Sequence, residues 1–425
     1  MKVVADFHIH SRFARATSKS INLENLDIWA QKKGIHVMGT GDFTHPMWIK
    51  ELKAELEEAE PGLYKRKPSF AKAMEGKGQD RGTRFLFSSE ISCIYKKGGQ
   101  VRKIHLLLLV PSILAVEKIN MHLSLIGNLK SDGRPILGID AKEVAKIVLD
   151  ADPSSLVVPA HIWTPWFSVF GSKSGFNSLK ECFDEYTKYI YAVETGLSSD
   201  PAMNWRLSAL DSITLLSNSD AHSLEKIGRE VNVFDTELSY PAIREAIITK
   251  DPAKFLFTVE FFPEEGKYHY DGHRLCNVSL SPEESKKQKN QCHVCKRPLT
   301  IGVLNRVAEL ADRPEGFKPD NAIPFRSLIP LQEIIADTLH QGVGTKKGKA
   351  EYEKLISRFQ TEFRVLLDAN VEELKEATIP EIAEGIVRVR EGKVRIEPGY
   401  DGEFGKIKIF DKEKEQGAAA QKSLF

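Results

Sequence analysis

Across residues 1–260 one unit keeps returning: a short apolar run, a histidine or carboxylate at its end, then a helical stretch. The first run, residues 3–11, reads V-V-A-D-F-H-I-H-S. Val3, Val4, Phe7 and Ile9 favour a strand. Residues two apart on a strand share a side, so His8 and His10 project together with Asp6 nearby. Two imidazoles on one face can begin a metal site, and two surface histidines are the plainer alternative. Recurrence decides between them. Residues 35–40 predict a second strand that runs into G-D-F-T-H-P, with Asp42 and His45 in the loop. Residues 84–87 deliver Glu90, residues 101–110 carry His105, and residues 156–158 end at His161. Residues 189–193 end at Glu194, and residues 212–216 end at S-N-S-D-A-H with Asp220 and His222. Helices are expected over residues 22–33, stopped by Gly34, and over 48–60, 142–149 and 241–249. Lys97-Gly98-Gly99 reads as a hairpin turn, and residues 61–82 as an exposed polar excursion. Alternating strands and helices predict a parallel sheet with crossovers, and if it closes, the strand ends gather at one mouth. A chance scatter of ligand-type residues would not favour strand ends.

Composition narrows the class. The chain has 425 residues, 41% hydrophobic and 28% charged, which suits a globular protein of about two or three domains. Sixty Lys and Arg against 59 Asp and Glu leave a net charge of +1, so any basic surface must be local. The sequence shows no secretory signal and no apolar run long enough to cross a bilayer. Of five cysteines, Cys93 and Cys182 stand alone while Cys276, Cys292 and Cys295 cluster. That usage predicts a cytoplasmic protein with one thiolate metal site rather than a disulfide framework.

H-I-H, G-D-F-T-H, S-S-E, the strand histidine His105, P-A-H and S-D-A-H together resemble the motifs of the polymerase and histidinol phosphatase (PHP) superfamily. The resemblance implies an α/β fold, a PHP-type distorted (β/α)7 barrel over residues 1–260, holding two or three divalent metals (Zn2+, Mn2+ or Mg2+) that hydrolyse phosphoesters. Carried over by position, one metal takes His8, His10, Glu90 and Asp220, the catalytic set. A second shares Glu90 and adds His105 and His161. A third uses His45 and His222, with Asp42 as a further donor. The chain departs from the family where T-D-H becomes G-D-F-T-H, and where Phe13 to Ala16 replace a histidine that usually follows H-x-H. Clustered divalent metals lower the pKa of a bound water and clamp phosphate oxygens. Glu194 and Arg229 belong near this site. Arg229, in K-I-G-R-E, either contacts a phosphate or is a surface charge.

Residues 162–176, I-W-T-P-W-F-S-V-F-G-S-K-S-G-F, follow a candidate ligand directly. Trp166, Phe167, Phe170 and Ser172 supply aromatic faces and a hydroxyl suited to a nucleobase taken out of the helix. The alternative is that the aromatics pack the rim of the sheet.

Composition changes at residue 261. His273-x-x-Cys276 and Cys292-x-x-Cys295 form two knuckle-like halves that predict one structural Zn2+ in a module over 261–325. His269 or His293 could stand in for His273. The segment between the halves is too polar for a core of its own, so metal would supply its folding energy. A mainly helical domain is expected over 326–410, with helices at 331–339, 351–367 and 371–389, the last broken at Thr378-Ile379-Pro380. Another helix is expected at 303–310, and a hairpin from residues 393–396 and 406–409. The turn G-V-G-T-K-K resembles a helix-hairpin-helix: Gly342 and Gly344 would present backbone N–H groups to a DNA phosphate beside Lys346 and Lys347. Residues 411–425 read as a disordered tail. There Gln421 and Leu424 resemble the first half of a sliding-clamp-binding box.

The whole order of parts, the PHP motifs, then H-R-L-C and C-H-V-C, then A-D-R-P-E-G and the basic G-V-G turn, resembles the endonuclease Q family. That resemblance implies a DNA repair endonuclease of archaea and some bacteria. Its substrate is double-stranded DNA with a deaminated base (uracil, hypoxanthine or xanthine) or an abasic site, cut on the lesion's 5′ side. From the residues alone comes less: a multimetal phosphoesterase with a zinc module and a backbone-binding turn, and no membrane partner. Two other readings stand beside it, a histidinol-phosphate-like small-molecule phosphatase and an inactive DNA-binding scaffold. The first leaves ~165 C-terminal residues without a task.

Overall fold

The opening run forms β1 (Lys2–Asp6), buried apart from Lys2. Its parallel neighbour is β2 (Val37–Gly39). Between them lies the helix Leu23–Lys33, capped by Asn22 and ended by Gly34 at φ 90°. The computed structural model describes residues 1–67 and 82–410. The next helix, Pro46–Glu55, stops earlier than expected. There Leu56 is buried as the chain enters β3 (Leu56–Glu60), which pairs with β4 (Leu63–Arg66). Tertiary pairing thus overrides the helical propensity of L-E-E-A-E. Of the expected excursion, residues 68–81 lie outside the described residues.

β5 (Arg84–Lys97) runs parallel to β2 and is much longer than its apolar start suggested, so Glu90 stands in mid-strand. Gly98 and Gly99, at φ 60° and 74°, make the expected turn into β6 (Gln100–Val110). Only left-handed backbone lets so short a turn follow the twist of both strands. β7 (Ile136–Leu137) lies beside β5, and β6 pairs antiparallel with β8 (Leu156–Pro159). β9 (Ala192–Glu194) and β10 (Thr214–Leu216) form a parallel pair. β11 (Val231–Asp235) is antiparallel to both β1 and β12 (Phe255–Glu260).

The sheet is therefore mixed, not the parallel one expected. A tight hairpin between β5 and β6 leaves no room for the crossover that parallel pairing needs. The β9–β10 pair sits between β8 and β1. Ile162 N donates to Glu194 O, His10 N to Ala221 O, and Phe7 N to the Asn218 side chain. Alternation fills the interior: Val3, Ala5 and Phe7 pack with Val37, Leu107 and Val158, while Val4 faces the other core.

The second core continues into the C-terminal part. β13 (Asp271–His273) and β14 (Val278–Leu280) form a small hairpin. β15 (Phe325–Ser327) adds to the large sheet beside β12, so the boundary expected at 325/326 cuts a sheet strand. The helix Val303–Leu310 and then Leu331–Thr338, Lys346–Phe359, Val371–Ala377 and Pro380–Arg390 follow. The break falls at Pro380 as expected, but a π-turn, Arg364–Asp368, interrupts the helix expected to reach residue 367. β16 (Arg395–Glu397) and β17 (Lys406–Lys408) make the predicted hairpin. Lys33 and Glu362, both buried, are paired at 2.8 Å and fasten the helical part to the first helix. Among the described residues no helix is long and apolar enough to cross a membrane. The tail, with Gln421 and Leu424, lies outside the described residues.

Candidate metal centres

Three strand ends, those of β1, β8 and β10, and two mid-strand residues, Glu90 on β5 and His105 on β6, build the central site. His8 and His10 stand just beyond β1, where Ile9 bridges Ala221 and so fixes both beside Asp220. One ligand atom each from His8, His10, Glu90 and Asp220 lie within 4.8 Å of one another. Glu90, His105 and His161 form a second such group. Glu90 belongs to both: its Oε2 lies 3.2 Å from His10 Nε2, and its Oε1 lies 2.6 Å from His105 Nδ1 and 3.1 Å from His161 Nε2. Asp42, His161 and Asp220 all hold left-handed backbone, at φ 50°, 30° and 45°. Such strain persists only where the surroundings impose it, and it gathers at functional sites.

Each inner imidazole nitrogen is set by a partner on the outer one. His8 Nδ1 donates to Glu194 at 2.9 Å, and His10 Nδ1 to Asp42 at 3.0 Å. His105 Nε2 is 3.1 Å from Ser92 Oγ, and His161 Nδ1 is 3.2 Å from Thr164 Oγ1. The inner atoms His8 Nε2, His10 Nε2 and Asp220 Oδ1 are buried without a hydrogen-bond partner. Unpartnered buried polar atoms are costly, and a cation between them would remove that cost. Burial disfavours charge on both histidines. Yet Glu194, Asp220 and Glu90 around His8, and Asp42 foremost around His10, raise both imidazoles well above their usual pKa. Glu90 is likewise desolvated, but His105 and Arg134 hold it well below the carboxylate range. A site that pulls this hard on a proton pulls on any cation of the right size. The donors, imidazole and carboxylate, suit Zn2+ and Mn2+. The residues therefore fit the implied metals.

Other expected residues fall elsewhere. Asp42 faces His10 and accepts from Ser11 N and Oγ at 2.6 and 2.7 Å, so it positions a histidine. Glu194 does the same for His8 and is itself held by Asn218 Nδ2 and His161 N. His45 stacks on Phe13, with ring centroids 4.4 Å apart, and His222 lies tilted against His10 at 4.5 Å; neither joins a ligand group. Arg229 donates to the carbonyl of Ser219 at 2.8 Å and braces the Asp220 loop. Two residues went unnoticed in the sequence, Asn218 and Arg134. Asn218 sits inside S-N-S-D-A-H, where a buried carboxamide leaves no signature. Arg134 lies in a loop with no periodicity, and its Nη1 reaches Glu90 Oε2 at 2.9 Å.

The aromatic loop divides in two. Trp163 is buried, donates to Asn204, and packs against Phe170. Phe170 is only 2% exposed and its carbonyl accepts from Arg306, so its face is core, not a platform. Phe167 instead lies 4.7 Å from the His105 ring, and Trp166 is 39% exposed beside Tyr268. Ser172 Oγ has no partner.

The knuckle brings His273, Cys276, Cys292 and Cys295 within 4.8 Å of one another, and all five cysteines are free of disulfides. His269 is not among them. It is buried against Tyr270, and burial pushes its imidazole down to about 4. Nor is His293. The G-V-G turn joins the helices Leu331–Thr338 and Lys346–Phe359, with Gly344 at φ 92° and Thr345 as N-cap. Gly342, Gly344, Lys346 and Lys347 are all exposed there.

Known proteins place this architecture. Residues 330–393 match the family described as the MJ0043 C-terminal domain. The uncharacterized protein YqxK of Bacillus subtilis is 32% identical over 96% of this chain and 99% of its own length. MJ0043 of Methanocaldococcus jannaschii is 34% identical over 58% of this chain, which spans 31% of that protein. The crystal structure of the lesion-specific endonuclease PfuEndoQ from Pyrococcus furiosus superposes with a TM-score of 0.83, at 30% identity over 98% of this chain and 99% of that one. An endonuclease Q bound to a 27-mer duplex with an abasic lesion at its active site also superposes at 0.83, with 31% identity over 97% and 98%. Fold and site thus define a DNA endonuclease. Within that class, the chain belongs to the endonuclease Q family.

Proposed function

We propose that the chain is a metal-dependent DNA repair endonuclease that cuts the phosphodiester 5′ to a deaminated base or an abasic site in duplex DNA. The observation that carries this reading is the pair of ligand groups sharing Glu90, with buried, unpartnered donor atoms on His8, His10 and Asp220. Support for the substrate comes from the full-length likeness to a lesion-specific endonuclease. In this reading residues 1–260 are a PHP-type metallo-phosphoesterase barrel. Two divalent ions, one at His8, His10, Glu90 and Asp220 and one at Glu90, His105 and His161, would supply a water of lowered pKa and neutralise phosphate charge. His45 and His222, on either side of Asp42 and His10, are the donors left for a third. Glu194 and Asp42 hold the neutral tautomers that keep His8 and His10 pointing inward. Trp166 and Phe167 offer faces to an extruded base near the cluster. One Zn2+ at the knuckle holds the C-terminal module, and Gly342, Gly344, Lys346 and Lys347 grip the phosphate backbone.

The test is a labelled duplex carrying one deoxyuridine or one abasic site, with Mg2+, Mn2+ or Zn2+ and an EDTA control. We expect metal-dependent incision on the 5′ side, leaving 3′-hydroxyl and 5′-phosphate ends. Phosphate release from small monoesters without incision would make the protein a phosphatase instead. Binding to the lesion duplex with neither reaction would make it a scaffold.

A further inference from the structure

The loop that follows the helix Ile113–Ser124 and enters β7 carries Arg134, and it is fastened on several sides. Gly133 N donates to Phe13 O and Ser92 N to Pro135 O. Asp132 accepts from the backbone N–H groups of Arg134 and Arg15 and pairs with the Arg15 side chain. A Cβ at Gly133 would collide with the Asp42 carboxylate, so only glycine lets the loop approach the site this closely. All this bracing delivers one guanidinium to the ligand cluster. Nη1 binds Glu90 Oε2 at 2.9 Å, the oxygen that also faces His8 and His10.

A purely structural arginine would use its donors on protein groups. Arg134 does not. Its other N–H groups have no partner among the described residues, none is a buried orphan, and its side chain stays 29% exposed. A planar fork with free donors, fixed beside a carboxylate shared by two ligand groups, matches a phosphodiester's non-bridging oxygen. We infer that Arg134 contacts the scissile phosphate and stabilises the charge that builds on it during incision. The inference rests on the endonuclease reading above.

The test compares wild type with Arg134→Ala and Arg134→Lys on a lesion duplex, by single-turnover incision and by elemental analysis. Binding of the metal-loaded protein is measured by rapid mixing, before incision, to that duplex and to one with a methylphosphonate at the scissile position. Loss of one preorganised donor costs about 10²–10³-fold in rate. We expect that loss in Arg134→Ala, partial recovery in Arg134→Lys, and unchanged metal content. Wild type should bind the methylphosphonate duplex more weakly than the normal one, while Arg134→Ala binds both alike. The inference is overturned if Arg134→Ala keeps the wild-type discrimination, or if metal content falls in step with rate. Absence of incision by wild type would instead remove the endonuclease reading.

Discussion

The two ligand clusters in this chain are built in opposite ways. The central one draws on residues far apart in sequence, Glu90 and His161 being separated by 71 positions. Its side chains rest on strands whose cores are formed by dozens of buried apolar side chains that need no ion. The knuckle is local, with His273 and Cys295 only 22 positions apart. Besides Cys292 itself, its small core holds just two buried apolar side chains, Val278 and Leu299. The difference teaches what a metal is for in each place. In the sheet the fold assembles the donors and leaves them unsatisfied, so the binding energy of an ion would be available for chemistry. In the knuckle the core is small for a fold of its own, and the binding energy of an ion would be spent on structure.

The hardest blow to this contrast would come from the knuckle. Cys292→Ser should forfeit much of the about 10–16 kcal/mol that structural zinc contributes in such sites. Elemental analysis should show one ion fewer, and limited proteolysis should open the segment around residues 271–300. The melting transition of the sheet should persist. A knuckle that stays protected without its ion would mean its fold has another source. At the central cluster the expectation reverses. Asp220→Ala should lower incision at least about 10³-fold, roughly 4 kcal/mol of transition-state stabilisation, and leave melting and duplex binding intact. If Asp220→Ala unfolds the protein, the cluster is a staple like the knuckle and the contrast fails.

The contrast also explains what could be read from sequence. The knuckle was legible because its spacing is local and thiols at that spacing have few other uses. The residues of the central cluster were legible one strand at a time. A ligand-type residue after each apolar run is a local signal, and of those residues His8, His10, His105, His161 and Asp220 do meet around Glu90. How they meet was not legible. Glu90 sits inside a strand three times longer than its apolar start implied, because pairing with β6 extends β5 through polar residues. Leu56 joins a strand rather than a helix for the same reason. Asn218 and Arg134 act through contacts with distant partners, and nothing in their neighbours' periodicity marks them. Phe170 reads as a platform beside Trp166 and Phe167, since an aromatic loop does not reveal which rings turn inward.

A finer test separates holding a ligand from being one. Glu194→Gln keeps the shape beside His8 but removes the charge that fixes its tautomer. Outer partners of this kind are worth about 10–100-fold in metal affinity or activity. We expect the incision rate to fall by that much and excess metal to restore part of it. Asp220→Ala should show no such rescue. Equal behaviour of the two variants would place Glu194 among the ligands.

The smallest effect belongs to a third kind of region, neither buried nor built of ligand-type residues. Gly342 to Lys347 form an exposed turn between two helices, so any charge contact there is open to solvent and to salt. Changing Lys346 and Lys347 to Ala should weaken binding to every duplex alike, lesion or not. It should also flatten the dependence of log Kd on log salt by about 1 per lysine, because each neutralised phosphate releases counterions. Single-turnover incision at saturating enzyme should not change, since the turn stays clear of Glu90 and its partners. A change confined to lesion duplexes would move this turn from the backbone to the reading of the base. The buried cluster should show the opposite pattern: its variants lose rate at every salt concentration, because screening does not reach groups enclosed by the sheet.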